Sequence, residues 1–423
     1  MAILVLMWTG CGASGKVETR EVSTAVIPPA EQIYFRVRPV DETDVCGFKD
    51  MVDPGEPAAD GMMDISAAHP YIRYFGRVDC ANPQAPTFSF PGISIRAKFT
   101  GPSLDMRLRD HAQPRTETTK NYYNIIIDGK EPTMLCPRSS QEVYELARNL
   151  PAGEHVVEIF KRSESSHYDD MNVGRGDFLG LRIAAGEALL PLSPRPNRIE
   201  FIGDSITCGY GNELSVDVAD NYHFTTANSN AWMAWGAIAA RRLNAEYMAV
   251  AYSGRGLVRN YAGLPGETLP EMYLETLPDD PSATPWEPSR YAPGVVVVNL
   301  GTNDFSEGLS PGAETDSLRR RYRDAYHAFA ERLRGYYPAA TIVLALGPMM
   351  SDWFPEGVNA WTAVQEEVSA VMKARREAGD ENIHMLVFDP QTPPYGEDYH
   401  PTIETHRQMA DGLVSFLAQA GVF

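Results

Sequence analysis

The chain has 423 residues, too many for one small hydrophobic core, so two domains are expected. Its residues are 43% hydrophobic and 22% charged, the composition of an ordinary soluble globular protein. Thirty-seven Lys and Arg against 56 Asp and Glu leave a formal charge of −19 with no basic run, which argues against nucleic acid and anionic membrane as partners and fits a neutral substrate, though the charge also serves solubility alone.

Met1 to Trp8 is apolar and is followed by Thr9-Gly10-Cys11-Gly12. Small residues before a cysteine, after an apolar run, form the pattern of a bacterial lipoprotein cleavage site; a basic leading segment and sufficient apolar length are missing. Residues 1–22 are therefore expected to be a lipoprotein signal and linker, with a lipid anchor at Cys11 and a secreted or cell-envelope location. An unprocessed cytoplasmic start is the alternative. No other stretch approaches the ~18 apolar residues of a membrane helix. Cys46, Cys80, Cys136 and Cys208 allow three pairings, and spacing does not choose among them. No CxxC is present, so no zinc site is expected.

From about residue 31 to 190 the pattern is β. Ile72 to Val78 and Ser94 to Phe99 read as short strands. Asn124 to Ile127 ends at the turn signal Asp128-Gly129. His155 to Lys161 follows the turn Pro151-Ala152-Gly153, and Phe178 to Ile183 adds another strand. Many short strands between Gly and Pro turns predict an antiparallel β-sandwich over 23–192. The joint is Leu190-Pro191-Leu192-Ser193-Pro194-Arg195-Pro196, whose prolines cannot continue a sheet ladder.

After this joint, over 193–423, strands alternate with helices. Arg198 to Ile202, Tyr247 to Ala251, Val295 to Leu300, Thr341 to Leu346 and Met385 to Phe388 read as strands. Ala231 to Leu243, Leu318 to Tyr336, Trp361 to Arg376 and Thr405 to Ala418 read as helices. The alternation predicts a parallel sheet covered by helices on both faces, with its ligand site beyond the carboxyl ends of the strands.

The chemistry-bearing residues stand at those ends. Gly203-Asp204-Ser205-Ile206 follows the first strand, where a serine can expose its hydroxyl; by itself the tripeptide is more often a turn. Ser253-Gly254-Arg255 follows the second, where glycine lets backbone N–H groups approach a ligand. Gly301-Thr302-Asn303-Asp304 follows the third, where an Asn amide can donate to an oxyanion. Asp398-Tyr399-His400-Pro401 precedes the closing helix and supplies a histidine, the usual general base for a serine. Among the tryptophans, Trp232 and Trp235 read as buried, whereas Trp353 lies past a strand end and is the expected sugar-stacking platform.

Taken in order, these four blocks resemble those of the SGNH (GDSL-type) hydrolases over roughly residues 196–423. The resemblance implies a flavodoxin-like α/β/α domain, Ser205 as nucleophile, His400 as base, and an oxyanion hole of Ser205, Gly254 and Asn303. A narrower resemblance spans both domains. Ile127-Asp128-Gly129, Gly153-Glu154-His155, Lys161-Arg162-Ser163-Glu164 and the run Glu200 to Gly211 are similar to carbohydrate esterase family 2. That family implies a jelly-roll-like β-sandwich, removal of acetyl groups from polysaccharides such as xylan and glucomannan, and no metal or cofactor. Most SGNH hydrolases place the supporting aspartate three residues before the histidine; here Glu397 holds that position and Asp398 stands two before. Asp398 is thus the expected third member of a triad, with orientation by a backbone carbonyl as its rival. The competing functions are an esterase or lipase acting on other acyl esters, and a glycan-binding protein with a degenerate hydrolase domain.

Overall fold

The computed structural model describes residues 45–422 apart from 51–56, 139, 166, 169, 170, 173, 218–222 and 279, and only the backbone of 167, 168, 171 and 172. Cys11 and the segment 1–22 lie outside the described residues.

Two six-stranded antiparallel sheets make up the first part. In one, Val78–Asp79, Thr87–Phe88, Gly176–Ala184, Leu104–Asp110 and Val143–Ala147 lie side by side, and Met62–Ser66 also pairs with Gly176–Ala184. In the other, Leu189–Leu190, Ser94–Thr100, Glu154–Lys161, Tyr123–Ile127 and Thr133–Leu135 follow one another, and Ile72–Phe75 pairs with Ser94–Thr100. The predicted strand from Ile72 to Val78 breaks at Gly76, whose φ is 100° and where a Cβ would meet the Ile93 side chain at 2.5 Å.

The second part is one parallel sheet in the order Ala245–Ala251, Asn197–Gly203, Val295–Asn299, Thr341–Leu346, Ile383–Val387. By chain order this is 2-1-3-4-5, the flavodoxin-like winding. Of the six α-helices among the described residues, α1 (Ser205–Cys208) and α3 (Leu269–Met272) are single turns, α2 (Trp235–Arg242) and α6 (Ile403–Gln419) cover one face of the sheet, and α4 (Ala313–Tyr336) and α5 (Ala360–Glu377) cover the other. Alternation along the strands serves both faces: Val295 and Val297 join the α2/α6 core, Val296 and Val298 the α4/α5 core. The helix predicted from Ala231 to Leu243 is two pieces, a 3-10 turn Ala231–Met233 and then α2, because Ala234 between them is extended with ψ 150°. Trp235 is fully buried, and Trp232 carries the Arg241 guanidinium 3.9 Å above its ring.

The sandwich docks on the parallel sheet within one compact unit. Strand Glu154–Lys161 turns Val157 and Ile159 into the sandwich core and Phe160 outward onto Tyr247 and Trp232, with ring centroids at 6.2 and 5.0 Å. Among the described residues, two of the ion pairs that cross the junction are buried on both sides. Arg77 Nη2 lies 3.2 Å from Glu200 Oε1 with both side chains fully buried, and Arg77 also donates to the carbonyls of Tyr273 and Glu275. Arg96 pairs with Glu246. A disulfide joins Cys46 to Cys80 across a Cα–Cα distance of 5.6 Å, leaving Cys136 and Cys208 as free thiols.

Candidate active site

Chain direction across the sheet reverses around the strand Asn197–Gly203, since the second strand lies to one side of it and the third to the other. A doubly wound sheet opens its crevice at such a switch point. Three loops meet there.

The first follows Gly203, where a Cβ would come within 2.1 Å of Thr207 Oγ1. Asp204 caps the one-turn helix α1 (Ser205–Cys208), its Oδ1 accepting the Ile206 N–H at 3.0 Å. Gly209, left-handed at φ 76°, ends the turn at once. Ser205 therefore stands in a first turn, where backbone N–H groups have no helical partner. Asp204 is buried, and burial raises its carboxyl to about 7.

The second loop holds Gly254, left-handed at φ 78°. The buried Asp304 carboxylate fastens this loop by accepting the N–H groups of Leu257, Val258 and Arg259 at 2.9, 2.7 and 3.0 Å. Among the described residues neither the Ser205 nor the Gly254 N–H donates to a protein group. The third loop brings Asn303, whose amide donates to Arg255 O at 2.9 Å. Its other hydrogen-bond contact among the described residues, Asp204 Oδ2 at 3.4 Å, is longer than a good N–H···O bond.

His400 enters from the turn before α6. Its Nε2 is 2.7 Å from Ser205 Oγ, and its Nδ1 is 2.9 Å from the Glu397 carbonyl. A carbonyl accepts only, so Nδ1 carries the proton and Nε2 is free to accept the serine's. Burial holds the imidazole down at about 4, so it is neutral at pH 7.

The expectation for Asp398 is corrected. Its carboxylate does not touch His400: Oδ2 accepts the Tyr210 hydroxyl at 2.6 Å and Oδ1 meets His223 Nδ1 at 3.0 Å. The cause is local. Asp398 and Tyr399 take left-handed φ values of 47° and 62°, which turns the Asp398 side chain outward and aims the Glu397 carbonyl at the ring.

Glu397 holds that turn in place. Its buried carboxylate accepts Thr225 N and Oγ1, each at 2.9 Å, and Asn228 Nδ2 at 2.6 Å. The segment bearing Thr225 and Asn228 is held in turn by the sandwich, through Arg162 to the carbonyls of Ala227 and Ser229 at 2.9 and 3.0 Å. Sequence reasoning missed the Glu397 side chain, Tyr210 and Arg162; the only signal was that Glu397 occupies the place of the usual aspartate. Trp353 is 74% exposed on the loop after Thr341–Leu346, at the carboxyl-end rim of the sheet. Phe354, Tyr399 and Tyr261 are further exposed aromatics on loops of that rim.

Residues 74–193 match the family described as Carbohydrate esterase 2 N-terminal, and residues 201–408 match the GDSL-like Lipase/Acylhydrolase family. An "Acetylxylan esterase / glucomannan deacetylase" of Cellvibrio japonicus is 30% identical over 84% of this chain and 90% of its own. The chain belongs to carbohydrate esterase family 2. "Cellulase/esterase CelE" of Acetivibrio thermocellus is 33% identical over 82% of this chain, which spans only 39% of that protein's length. Among solved family 2 carbohydrate esterases, one from Clostridium thermocellum in complex with cellohexaose superposes with a TM-score of 0.72 at 32% identity, covering 83% of this chain and all of that one. One from Cellvibrio japonicus gives 0.70 at 27% identity, over 85% and 97%.

Proposed function

We propose that this family 2 carbohydrate esterase removes O-acetyl groups from polysaccharides of the xylan and glucomannan type through a Ser205–His400 dyad. The observation that carries the reading is the 2.7 Å approach of Nε2 to Oγ, with the other ring nitrogen held by a carbonyl, at the switch point of the sheet. The Cellvibrio japonicus relative's name supplies the substrate class.

His400 takes the Ser205 proton as Oγ bonds to the acetyl carbonyl carbon. The carbonyl oxygen becomes an oxyanion and is met by the N–H groups of Ser205 and Gly254 and by Asn303 Nδ2. The sugar oxygen then leaves with the proton from His400. Water attacks the acetyl-serine, giving its proton to His400; acetate departs and Ser205 recovers its proton. Each oxyanion donor is worth about 2.7–4 kcal/mol. Trp353 stacks a sugar ring beside the reacting unit. Nothing in these steps calls for a metal or cofactor.

The enzyme works outside the cytoplasm on this reading, anchored by lipid at Cys11. The Cys46–Cys80 disulfide supports such a location, since disulfides persist in oxidising compartments.

The test is acetate release from acetylated xylan and glucomannan by wild type and Ser205→Ala. Wild type is expected to release acetate, and the variant to lose about a thousandfold or more of the rate. Folded wild type that binds either polymer without releasing acetate would instead establish a glycan-binding protein.

A further inference from the structure

A buried dyad leaves one problem unsolved. During acylation His400 becomes an imidazolium in a site that disfavours charge, and among the described residues no carboxylate touches it. The ring that does touch it is Tyr210. The Tyr210 and His400 rings lie nearly parallel, 22° apart, with centroids at 4.0 Å. On its other side Tyr210 packs against Phe224 at 4.6 Å. Its hydroxyl donates to Asp398 Oδ2 at 2.6 Å. The stack is fixed by backbone: Gly209 turns the chain so that the Tyr210 N–H meets Ser205 O at 3.1 Å, and Gly211 O accepts the Glu397 N–H at 3.1 Å.

We infer that Tyr210 and Asp398 are positioning residues that stabilise the His400 imidazolium through the stacked phenol ring, Asp398 acting on the base by way of Tyr210 and not by direct contact. The proposal rests on the dyad reading above. A cation over an aromatic face is attracted by the ring's quadrupole, more strongly where water is excluded. A phenol donating its proton to a carboxylate has a more electron-rich ring, and the carboxylate adds its own negative charge behind it. The role given in an ordinary triad to an aspartate on Nδ1 is thus divided: the Glu397 carbonyl orients the ring, and the Asp398–Tyr210 pair supplies the negative potential.

The ionisable groups around His400 are few. Ser205 faces it from α1, Tyr210 from the segment after α1, Glu397 and Asp398 from its own turn, and buried His406 from α6. His223 reaches only the outer Asp398 oxygen, and Glu164 of the sandwich faces Tyr210. Of the carboxylates among the described residues, Asp398 alone is hydrogen-bonded to the ring that covers the imidazole.

The experiment is the pH profile of kcat/KM for an aryl acetate and for acetylated xylan, in wild type, Tyr210→Phe, Asp398→Asn and the double variant. Tyr210→Phe keeps the ring and loses its bond to Asp398; Asp398→Asn keeps that bond and loses the charge. Each is expected to lower the plateau of kcat/KM about tenfold and to move the acidic limb down by roughly half to one pH unit, because a less stabilised imidazolium forms only at lower pH. The double variant should lose no more than either single one, since both remove one interaction. Profiles whose limbs superimpose on wild type would overturn the proposal, even if the plateau fell, because a structural role moves the plateau alone. The second measurement titrates the downfield Nδ1 proton by NMR after Ser205 has been trapped as a phosphonate adduct. The imidazolium is expected to titrate lower in both variants, and an unchanged titration overturns the proposal. This arm needs no turnover. Failure of wild type to release acetate from the polysaccharides would defeat the substrate reading while the trapped enzyme still decides the role of Tyr210.

Discussion

Two groups of buried polar residues share the strand Asn197–Gly203. Midway along it Glu200 meets Arg77, with the Tyr273 hydroxyl at 2.9 Å from its other oxygen, and on the neighbouring strand Glu246 meets Arg96. Just past its end stand Asp204, Ser205, Asn303 and His400, equally buried but sparsely bonded. At the first group opposite charges cross from the sandwich and cancel. At the second the donors are left short of acceptors: the Ser205 and Gly254 N–H groups are uncommitted among the described residues, and the second Asn303 hydrogen is poorly placed. Charges that are paired and solvent-free hold two parts in one geometry. Donors kept in place without a partner cost stability and acquire one only when an oxyanion forms.

The contrast can be broken at either end. Arg77→Met strands Glu200 without its cation and is expected to cost about 3–5 kcal/mol of stability, measured by urea unfolding. Adding Glu200→Leu should recover most of that loss; a double variant as unstable as the single would mean that Arg77 matters for its packing on Tyr273 and Trp286 and not for its charge. At the reactive end, Asn303→Ala is expected to lower kcat about 10²–10³-fold, or about 2.7–4 kcal/mol, with little change in unfolding free energy. Full turnover in that variant would remove Asn303 from the oxyanion hole.

His406 lies between the two behaviours. It is fully buried, its Nδ1 accepts the Trp235 N–H at 3.2 Å, and burial lowers it to about 3. Its folded value lies below the unfolded one, so the unfolded chain takes up the proton first, and stability is lost as pH falls through about 6.5. Between pH 8 and pH 5 wild type should lose about 2 kcal/mol more than His406→Gln. Equal losses would show that His406 does not carry the acid sensitivity. The smallest expected effect is at the rim. Trp353→Ala should cost about 1 kcal/mol in kcat/KM on acetylated xylan, seen in KM, and leave a small aryl acetate unaffected. Equal losses on both substrates would make Trp353 part of the scaffold.

Legibility in the sequence followed the kind of signal each residue gives. The parallel strands were plain because a strand covered on both faces is continuously apolar, as in Val295-Val296-Val297-Val298. The strand Leu104–Asp110 went unmarked because its alternation is written half in charge, with the buried Asp105 met by Arg148 and Arg182. Ser205 and His400 were brought forward by the order of four short blocks, each weak alone, which together resemble the SGNH hydrolases. Asp398 was misread for a reason of geometry: residue count gives distance along the chain, whereas two left-handed residues decide where the side chain points. Glu397 and Tyr210 could not be read because each acts on a partner about 170 to 190 residues away.

What the sequence determined alone was local and periodic: the strands of the parallel sheet, the long helices that cover it, and the placing of Gly203-Asp204-Ser205, Gly254 and Asn303 past strand ends and of His400 before the closing helix. Each follows from backbone preference or from the period of buried positions, which neighbours in sequence fix. The tertiary structure decided which of those ends converge, that a carbonyl and not a carboxylate holds His400, that Tyr210 covers its ring, and that Arg162 of the sandwich steadies the segment beneath the turn. These depend on contacts between distant parts of the chain, whose closeness is set by the packing of the whole core and is written in no single stretch of residues.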